Sequence, residues 1–532
     1  MKLYTGGTIL TMEARAPRAQ ALLEDGGVIR ALGGERELRA LAPDAVRVDL
    51  EGGALLPAFI DAHSHFSAAA SALLQVPLGE CVSRAEIKER VEAFIRKNAV
   101  PEGQWVVAKE YDPDALEDAV PDAAFLDTAA GAHPLLLQHR SGHTGVCNTA
   151  ALRALGVTAD TPDPPDGRYG RRPDGAPDGY LEEGAFMRCV RLVPPADGAA
   201  LLGAYRRAQE KYASFGIATA QEGMMVSQMM PLYDALLGSG LLALDLVGYA
   251  ELASADALYA HFPQAAGRYD RHFRLGGVKT FLDGSPQART AWMRPQSAYL
   301  PRPGETAAQT GYGTLSDGEL LRTLEYAARR RLQLLAHCNG DAAAQQFLEA
   351  VAKTERQYPD FASLRPVMIH AQFLAPDQLP LVRETGVTPS FFVAHVWHWG
   401  DIHARNLGEA RAALLSPAAD ALRAGIRFTF HQDAPVIEPD MLETVWCAVC
   451  RRTKSGRVLG EQEAIPVQEA LRAVTINAAW QYGEENEKGS LRAGKKADLV
   501  LLDRDPTAVP KETLRDIRVL RTVKGGRTIF EA

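Results

Sequence analysis

The segment Pro57-Ala-Phe-Ile-Asp-Ala-His63-Ser-His65-Phe66 carries the sharpest chemical feature of the sequence. Two histidines spaced by two lie on the same side of an extended chain, because strand side chains alternate. They can therefore converge on one metal ion. The plainer alternative is two polar residues at a strand end, and among 13 histidines a chance pair at that spacing is no rarity. The pair has company. His337 ends the apolar stretch Leu334-Leu-Ala-His337, and His370 ends Val367-Met-Ile-His370. Asp433 follows Phe428-Thr-Phe-His-Gln, and Lys279 lies within Gly276-Gly-Val-Lys279-Thr-Phe-Leu-Asp283. Imidazole with carboxylate suits zinc, with manganese, iron and nickel left open.

These residues share a place in a repeating pattern. Eight runs rich in Val, Ile, Leu and Phe end in polar residues: Leu55 to Ala62, Ile217 to Glu222, Leu244 to Ala250, Leu275 to Leu282, Gln333 to His337, Pro366 to His370, Thr388 to Ala394 and Arg427 to His431. Helix-like segments with apolar residues three and four apart separate several of them. Eight buried strands alternating with helices predict an α/β chain built on a (β/α)8 TIM barrel. Parallel strands bring their C-terminal ends to one face, where barrel active sites lie. Chance would scatter the histidines over helices and loops as well, so their recurrence at strand ends favours the metal reading. The aromatic cluster Phe391 to Trp399 follows the seventh run, either walling a substrate pocket or packing beneath a loop.

One connection is far too long for a barrel loop. Residues 67–195 are expected to form an inserted subdomain over the barrel mouth, including a helix from Arg84 to Lys97, an apolar run Pro134 to Gln138, and a Pro/Gly/Asp-rich loop or lid from Thr161 to Gly179. Short β segments mark residues 1–54 and 485–532, which predicts a composite β-sandwich from both termini. Residues 55–66 and 196–484 are left for the barrel.

The composition agrees with a large globular chain. At 532 residues with 46% hydrophobic and 23% charged side chains, a large core is available and wholesale disorder is excluded. A net charge of −8 argues against non-specific nucleic-acid binding and against an anionic membrane as partner. No stretch reads as a transmembrane helix or as a signal peptide. Six scattered cysteines fit a reducing, cytoplasmic setting. Cys447 and Cys450 form a lone C-x-x-C, read as two small apolar residues on a helix.

The His63-Ser-His65 strand, the Val-Lys279-Thr-Phe-Leu-Asp-Gly-Ser segment, the His337, His370 and Asp433 strand ends, and the terminal Gly489-Ser-Leu-Arg-Ala-Gly-Lys-Lys-Ala-Asp498-Leu-Val segment together resemble the amidohydrolase superfamily. Within it, the chain resembles the branch containing the N-substituted formamide deformylases. The resemblance implies a metal-dependent hydrolase that cleaves an amide-type C–N bond, formamide or N-acyl, in a small organic substrate by attack of metal-bound hydroxide. One or two divalent ions, zinc first, are the implied cofactors. His63, His65 and Asp433 would hold one ion, and His337 and His370 the other. Lys279, carboxylated, would bridge them, and Asp433 would shuttle the proton. The alternative for Lys279 is an ammonium paired with Asp283 or Glu222. Glu222 and His143 are substrate-binding candidates, with a bridging role for Glu222 and a surface or capping role for His143 as alternatives. Two other functions stay open: a mononuclear deaminase of an amino-heterocycle, and a non-catalytic scaffold relative. A small molecule is the expected partner, nucleic acid and membrane are not, and a homodimer stays open.

Overall fold

The computed structural model describes residues 1–139, 144–194, 197–302, 304 and 306–532. They fall into two compact units, residues 1–68 with 208–532, and residues 69–207.

The first unit is built around a sheet of eight strands in chain order: Phe59–Ile60, Ile217–Met225, Asp245–Glu251, Phe273–Phe281, Gln333–Cys338, Val367–His370, Thr388–Phe391 and Thr429–Phe430. Every neighbouring pair is parallel. Beyond the last paired residues, the Asp433 N–H donates to the His63 carbonyl at 3.2 Å and the His65 N–H to that of Ala434 at 2.8 Å. The end of the eighth strand is thereby tied to the end of the first, giving a TIM-barrel-like α/β fold. Strands covered on both faces read as near-continuous apolar runs, which is why Leu334, Leu335 and Ala336 are all buried. Helices follow the strands. Asp317–Arg330 is typical: a Ser316/Glu319 capping box starts it, and its buried face is Leu320, Thr323, Leu324 and Ala327.

The first apolar run behaves differently from its reading as one barrel strand. Ala54–Pro57 pairs with Thr8–Leu10 and with Leu499–Leu502, and only Phe59–Ile60 belongs to the barrel. The run is buried throughout, so nothing in its hydrophobicity marks the change of sheet at Ala58. The sheet containing Ala54–Pro57 has six strands drawn from both ends of the chain. A second, four-stranded sheet uses residues Lys2–Thr5, Ala21–Asp25, Val28–Gly33 and Val46–Asp49. Tyr4, Leu22 and Ile29 of the four-stranded sheet share one apolar cluster with Ile9, Leu55 and Leu499 of the other.

The second unit has its own six-stranded sheet and apolar cores. The helix expected from Arg84 to Lys97 is present, capped by Ser83. The segment from Thr161 to Gly179, expected as loop or lid, instead contributes strand Gly167–Arg171 and the start of Pro177–Glu183, which pair antiparallel. Pro173 and Gly175 lie in the turn between these strands, while Gly167, Gly170, Pro177 and Gly179 lie in the strands themselves and Tyr169 is buried in one core cluster with Leu181.

Candidate metal centre

The strand ends gather the histidines. Register sets Phe281 beside His337, Cys338 beside His370 and His370 beside Phe391, so successive strands end level. His63 Nε2 stands 3.4 Å from Asp433 Oδ1, and His65 Nε2 stands 3.5 Å from the same oxygen. His370 Nε2 lies 4.0 Å from Asp433 Oδ2. The Lys279 Nζ is 3.1 Å from His63 Nε2. The His337 and His370 ring centres are 4.6 Å apart. The tightest set is His63, His65 and Asp433, whose donor atoms all lie within 4.8 Å of one another.

The backbone is strained where these side chains turn in. His370 has φ +73° and Asp433 has φ +54°, left-handed values that cost a residue with a Cβ roughly 1–3 kcal/mol and recur at functional sites. Gly223 shows the crowding from the other side. A Cβ there would lie 2.7 Å from His63 Cε1 and 3.1 Å from His65 Cε1, so only glycine passes beneath the pair.

Three of the histidines have Nδ1 held from outside, which leaves Nε2 to face inward. His63 Nδ1 is 2.5 Å from Gln221 Oε1, and the Gln221 amide is itself anchored on the Ala62 carbonyl and the Tyr482 hydroxyl. His337 Nδ1 is 3.1 Å from Asp283 Oδ1. His370 Nδ1 is 3.1 Å from His431 Nε2. Such outer partners fix the tautomer and ring orientation of a ligand histidine. His337 Nε2 also receives the Asn339 side-chain amide at 3.3 Å, as His63 Nε2 meets Lys279 Nζ at 3.1 Å, so these two lone pairs are the least free of the set.

Electrostatics favours neutral donors here. Burial, reinforced by Lys279 and the neighbouring imidazoles, holds His63 well below the ordinary histidine value. Burial and Lys279 bring His65 down to about 4. Burial, then His337 and His431, hold His370 well below its ordinary value. Burial lifts the Asp433 carboxyl to about 7 against the opposing pull of Lys279, and burial lowers Lys279 to about 7 against that of Asp433. Asp433 Oδ1 is buried and accepts no hydrogen bond among the described residues. Neutral imidazole lone pairs around an unshared carboxylate oxygen form a donor set that fits a divalent cation.

Neither carboxylate considered as a counter-ion for Lys279 serves it. Asp283 accepts from the backbone N–H groups of Trp292, Asn339 and Gly340 as well as facing His337. Glu222 Oε2 accepts from the Ser67 N–H and hydroxyl and from the Tyr233 hydroxyl, and burial lifts its carboxyl to about 7. His143 lies outside the described residues. In the aromatic cluster, Phe392 is buried with its ring 6.1 Å from that of His370, whereas Trp397 packs on Trp446. Cys447 and Cys450 are buried free thiols on helix Met441–Cys450.

Sequence reasoning missed Gln221, His431 and Ser390, and saw Asp283 only as a partner for Lys279. A signal for His431 existed: it stands two residues before Asp433, as His63 stands two before His65. On an extended chain that spacing turns both members of a pair to one side, although Asp433 itself, at φ +54°, leaves the extended region.

Residues 47–530 match the amidohydrolase family. The chain is 30% identical to an N-substituted formamide deformylase of Arthrobacter pascens over 99% of this chain and 98% of that one. It is 25% identical to the protein YtcJ of Bacillus subtilis (strain 168), over 99% of each chain. Among solved structures, a metal-dependent hydrolase of Pyrococcus horikoshii OT3 superposes with a TM-score of 0.76 at 23% identity, over 96% of this chain and 99% of that one. With its TIM-barrel-like fold and the match over most of its length, the chain belongs to the amidohydrolase family, a family of hydrolases.

Proposed function

We propose that the chain hydrolyses an amide-type C–N bond, formamide or N-acyl, in a small organic substrate, with a divalent metal at the strand ends of its barrel. One observation carries the reading: Asp433 Oδ1, buried without a hydrogen bond among the described residues, lies within 3.5 Å of two histidine Nε2 atoms. His63, His65 and Asp433 would hold one ion, with His337, His370 and a carboxylated Lys279 completing a site for a second. When bound, such an ion polarises the substrate carbonyl and makes water nucleophilic near neutral pH.

The chain's own residues supply the rest. Asp433 accepts a proton from the attacking water as its oxygen bonds to the carbonyl carbon. It returns that proton to the nitrogen as the C–N bond breaks, so an amine and a carboxylic acid leave. Lys279 suits carboxylation because carbon dioxide reacts with the neutral amine, and burial lowers this amine to about 7. The carbamate would replace a repelling cation by two anionic oxygens. Lys279→Ala should lose activity, and a short carboxylic acid in the medium should restore part of it. Full activity from a metal-loaded enzyme with an unmodified Lys279 would move the bridging role to Glu222 or reduce the site to one ion.

The similarity to the Arthrobacter pascens deformylase supports starting with N-formyl amides. The test is a panel of N-formyl, N-acyl and cyclic amides and amino-heterocycles offered to metal-loaded protein. Release of amine from formyl or acyl amides is the expected result. Ammonia from amino-heterocycles alone would select the deaminase reading, and a protein that carries no metal and is not rescued by added zinc would select the scaffold reading.

A further inference from the structure

His431 is wholly buried, on the eighth strand's extension, with both ring nitrogens engaged. Its Nε2 is 3.1 Å from His370 Nδ1, and its Nδ1 is 2.8 Å from the hydroxyl of Ser390, which is also buried. It therefore has no lone pair left for an ion. The three groups form a chain from the seventh strand to the sixth: Ser390, His431, His370.

That chain can run in two directions. In one, Ser390 donates to His431 Nδ1, His431 Nε2–H donates to His370 Nδ1, and His370 carries its proton on Nε2, facing Asp433. In the other, His370 Nδ1–H donates to His431 Nε2, and His431 Nδ1–H donates to Ser390. Only the second leaves the His370 Nε2 lone pair free. We propose that His431 is a positioning residue: with Ser390 behind it, it accepts the His370 Nδ1 proton and so keeps His370 in the tautomer that can ligate a divalent ion. The inference rests on the metal-centre reading above. Gln221 and Asp283 stand in the same relation to His63 and His337, but each offers an oxygen with fixed acceptor character. His431 is the member of this group whose polarity has to be set, and the Ser390 hydroxyl, able to donate or accept, permits either setting.

The test compares zinc affinity, read by competition with a chromophoric chelator, in His431→Phe and His431→Gln. Phenylalanine keeps the ring's bulk and loses the acceptor. Glutamine loses the ring and can present an acceptor oxygen near the Nε2 position. We expect H431F to bind zinc about 10–100-fold more weakly and H431Q to stay within about threefold of wild type. A packing role would reverse that order. Equal affinity in H431F and wild type, or H431Q no better than H431F, overturns the proposal. Should H431F fail to fold, judged by metal-free thermal unfolding, Ser390→Ala against Ser390→Thr asks the same question. Alanine should weaken zinc binding and threonine should not, and equal binding in both would again overturn it. If wild type itself takes up no zinc, the metal-centre reading fails, and that outcome is distinct from a failure confined to His431.

Discussion

The two ends of the barrel bury the same residue types to opposite effect. At the N-terminal end, Lys488 Nζ donates to Asp245 Oδ2 at 2.7 Å, to Thr219 Oγ1 at 3.1 Å and to the Tyr269 hydroxyl at 3.3 Å, and it pairs with Glu484 at 2.8 Å. Lys524 joins Asp245 to Asp498, and Arg274 reaches Glu484 at 3.2 Å. Three cations thus meet three carboxylates. Burial alone would raise the Asp245 carboxyl, yet Lys488 and Lys524 outweigh it and hold Asp245 well below its ordinary range. Burial alone would lower Lys488, yet Asp245 and Glu484 hold it well above its ordinary value. At the C-terminal end, Lys279 is buried and the Asp433 side chain is 14% exposed, yet there desolvation wins over their mutual attraction and both move to about 7. Where charges cancel internally, a buried network ties the terminal segment to the barrel. Where the charged forms are disfavoured, the site presents neutral lone pairs, which is what an incoming cation requires.

Substitutions should separate the two ends. The largest effect is expected from His63→Ala: kcat/KM falls by about 10³-fold or more, because several kcal/mol of charge stabilisation leave with the ion. Metal content should fall with it, while metal-free Tm stays near that of wild type, since the ligand is not what holds the core. Normal turnover in this variant would break the assignment. At the other end, Lys488→Met leaves Asp245 and Glu484 short of a buried cation, and should cost about 3–5 kcal/mol in denaturant unfolding. Turnover per folded molecule should not change. Loss of turnover without loss of stability would dissolve the distinction.

The pH dependence of the metal-free protein sharpens the comparison. Asp245, held below its unfolded value, contributes stability above the ordinary carboxylate pKa that is lost as pH falls through its folded value. Lys488, held above its unfolded value, contributes stability that is lost only as pH rises through its folded value. Between those limits the N-terminal end is level. Asp433 behaves the other way: from its ordinary value up to about 7 the folded state binds the extra proton, so stability falls as pH rises. Burial lifts Asp61 and Glu222 to about 7 as well, which adds to the same slope. From about 7 up to the ordinary lysine value the unfolded state holds the extra proton on Lys279, so stability recovers. His63, His65 and His370, held below the ordinary histidine value, give the opposite slope on the acid side, so the expected signature is a difference between variants: Asp433→Asn loses one carboxyl's share of the fall between about 4 and 7, and Lys279→Met loses the recovery above about 7. A profile identical in wild type and both variants would contradict these shifts. The smallest effect concerns His143, assigned to substrate from the sequence alone. His143→Ala should change KM by about tenfold or less, unequally among amides, with kcat and metal content little altered. An equal response from every amide would leave the insert a structural role only.

Much of this was legible because parallel buried strands are almost wholly apolar, so a histidine or lysine in one stands out. His63, His65, Lys279, His337, His370 and Asp433 were found that way, and the structure brings them to one end of one sheet. The partners that orient them were harder to read. Asp283 reaches His337 only because the chain turns after the fourth strand, and Gln221 looks like an ordinary strand residue until its amide is seen between His63 and Tyr482. The division of Leu55 to Ala62 between two sheets left no trace in its hydrophobicity, since both halves are buried. The pairing of residues 167–171 with 177–183 was hidden by a composition that also describes loops.

The cluster of histidines, Lys279 and Asp433 at the barrel's C-terminal end is proposed as a divalent cation site. Metal content of the purified protein, wild type beside Asp433→Asn, tests it most directly. One or two equivalents of a divalent metal are expected in wild type, zinc foremost, with a marked loss in Asp433→Asn at unchanged secondary structure. A wild-type protein that carries no metal and takes none up when zinc, manganese, iron or nickel is supplied would contradict it.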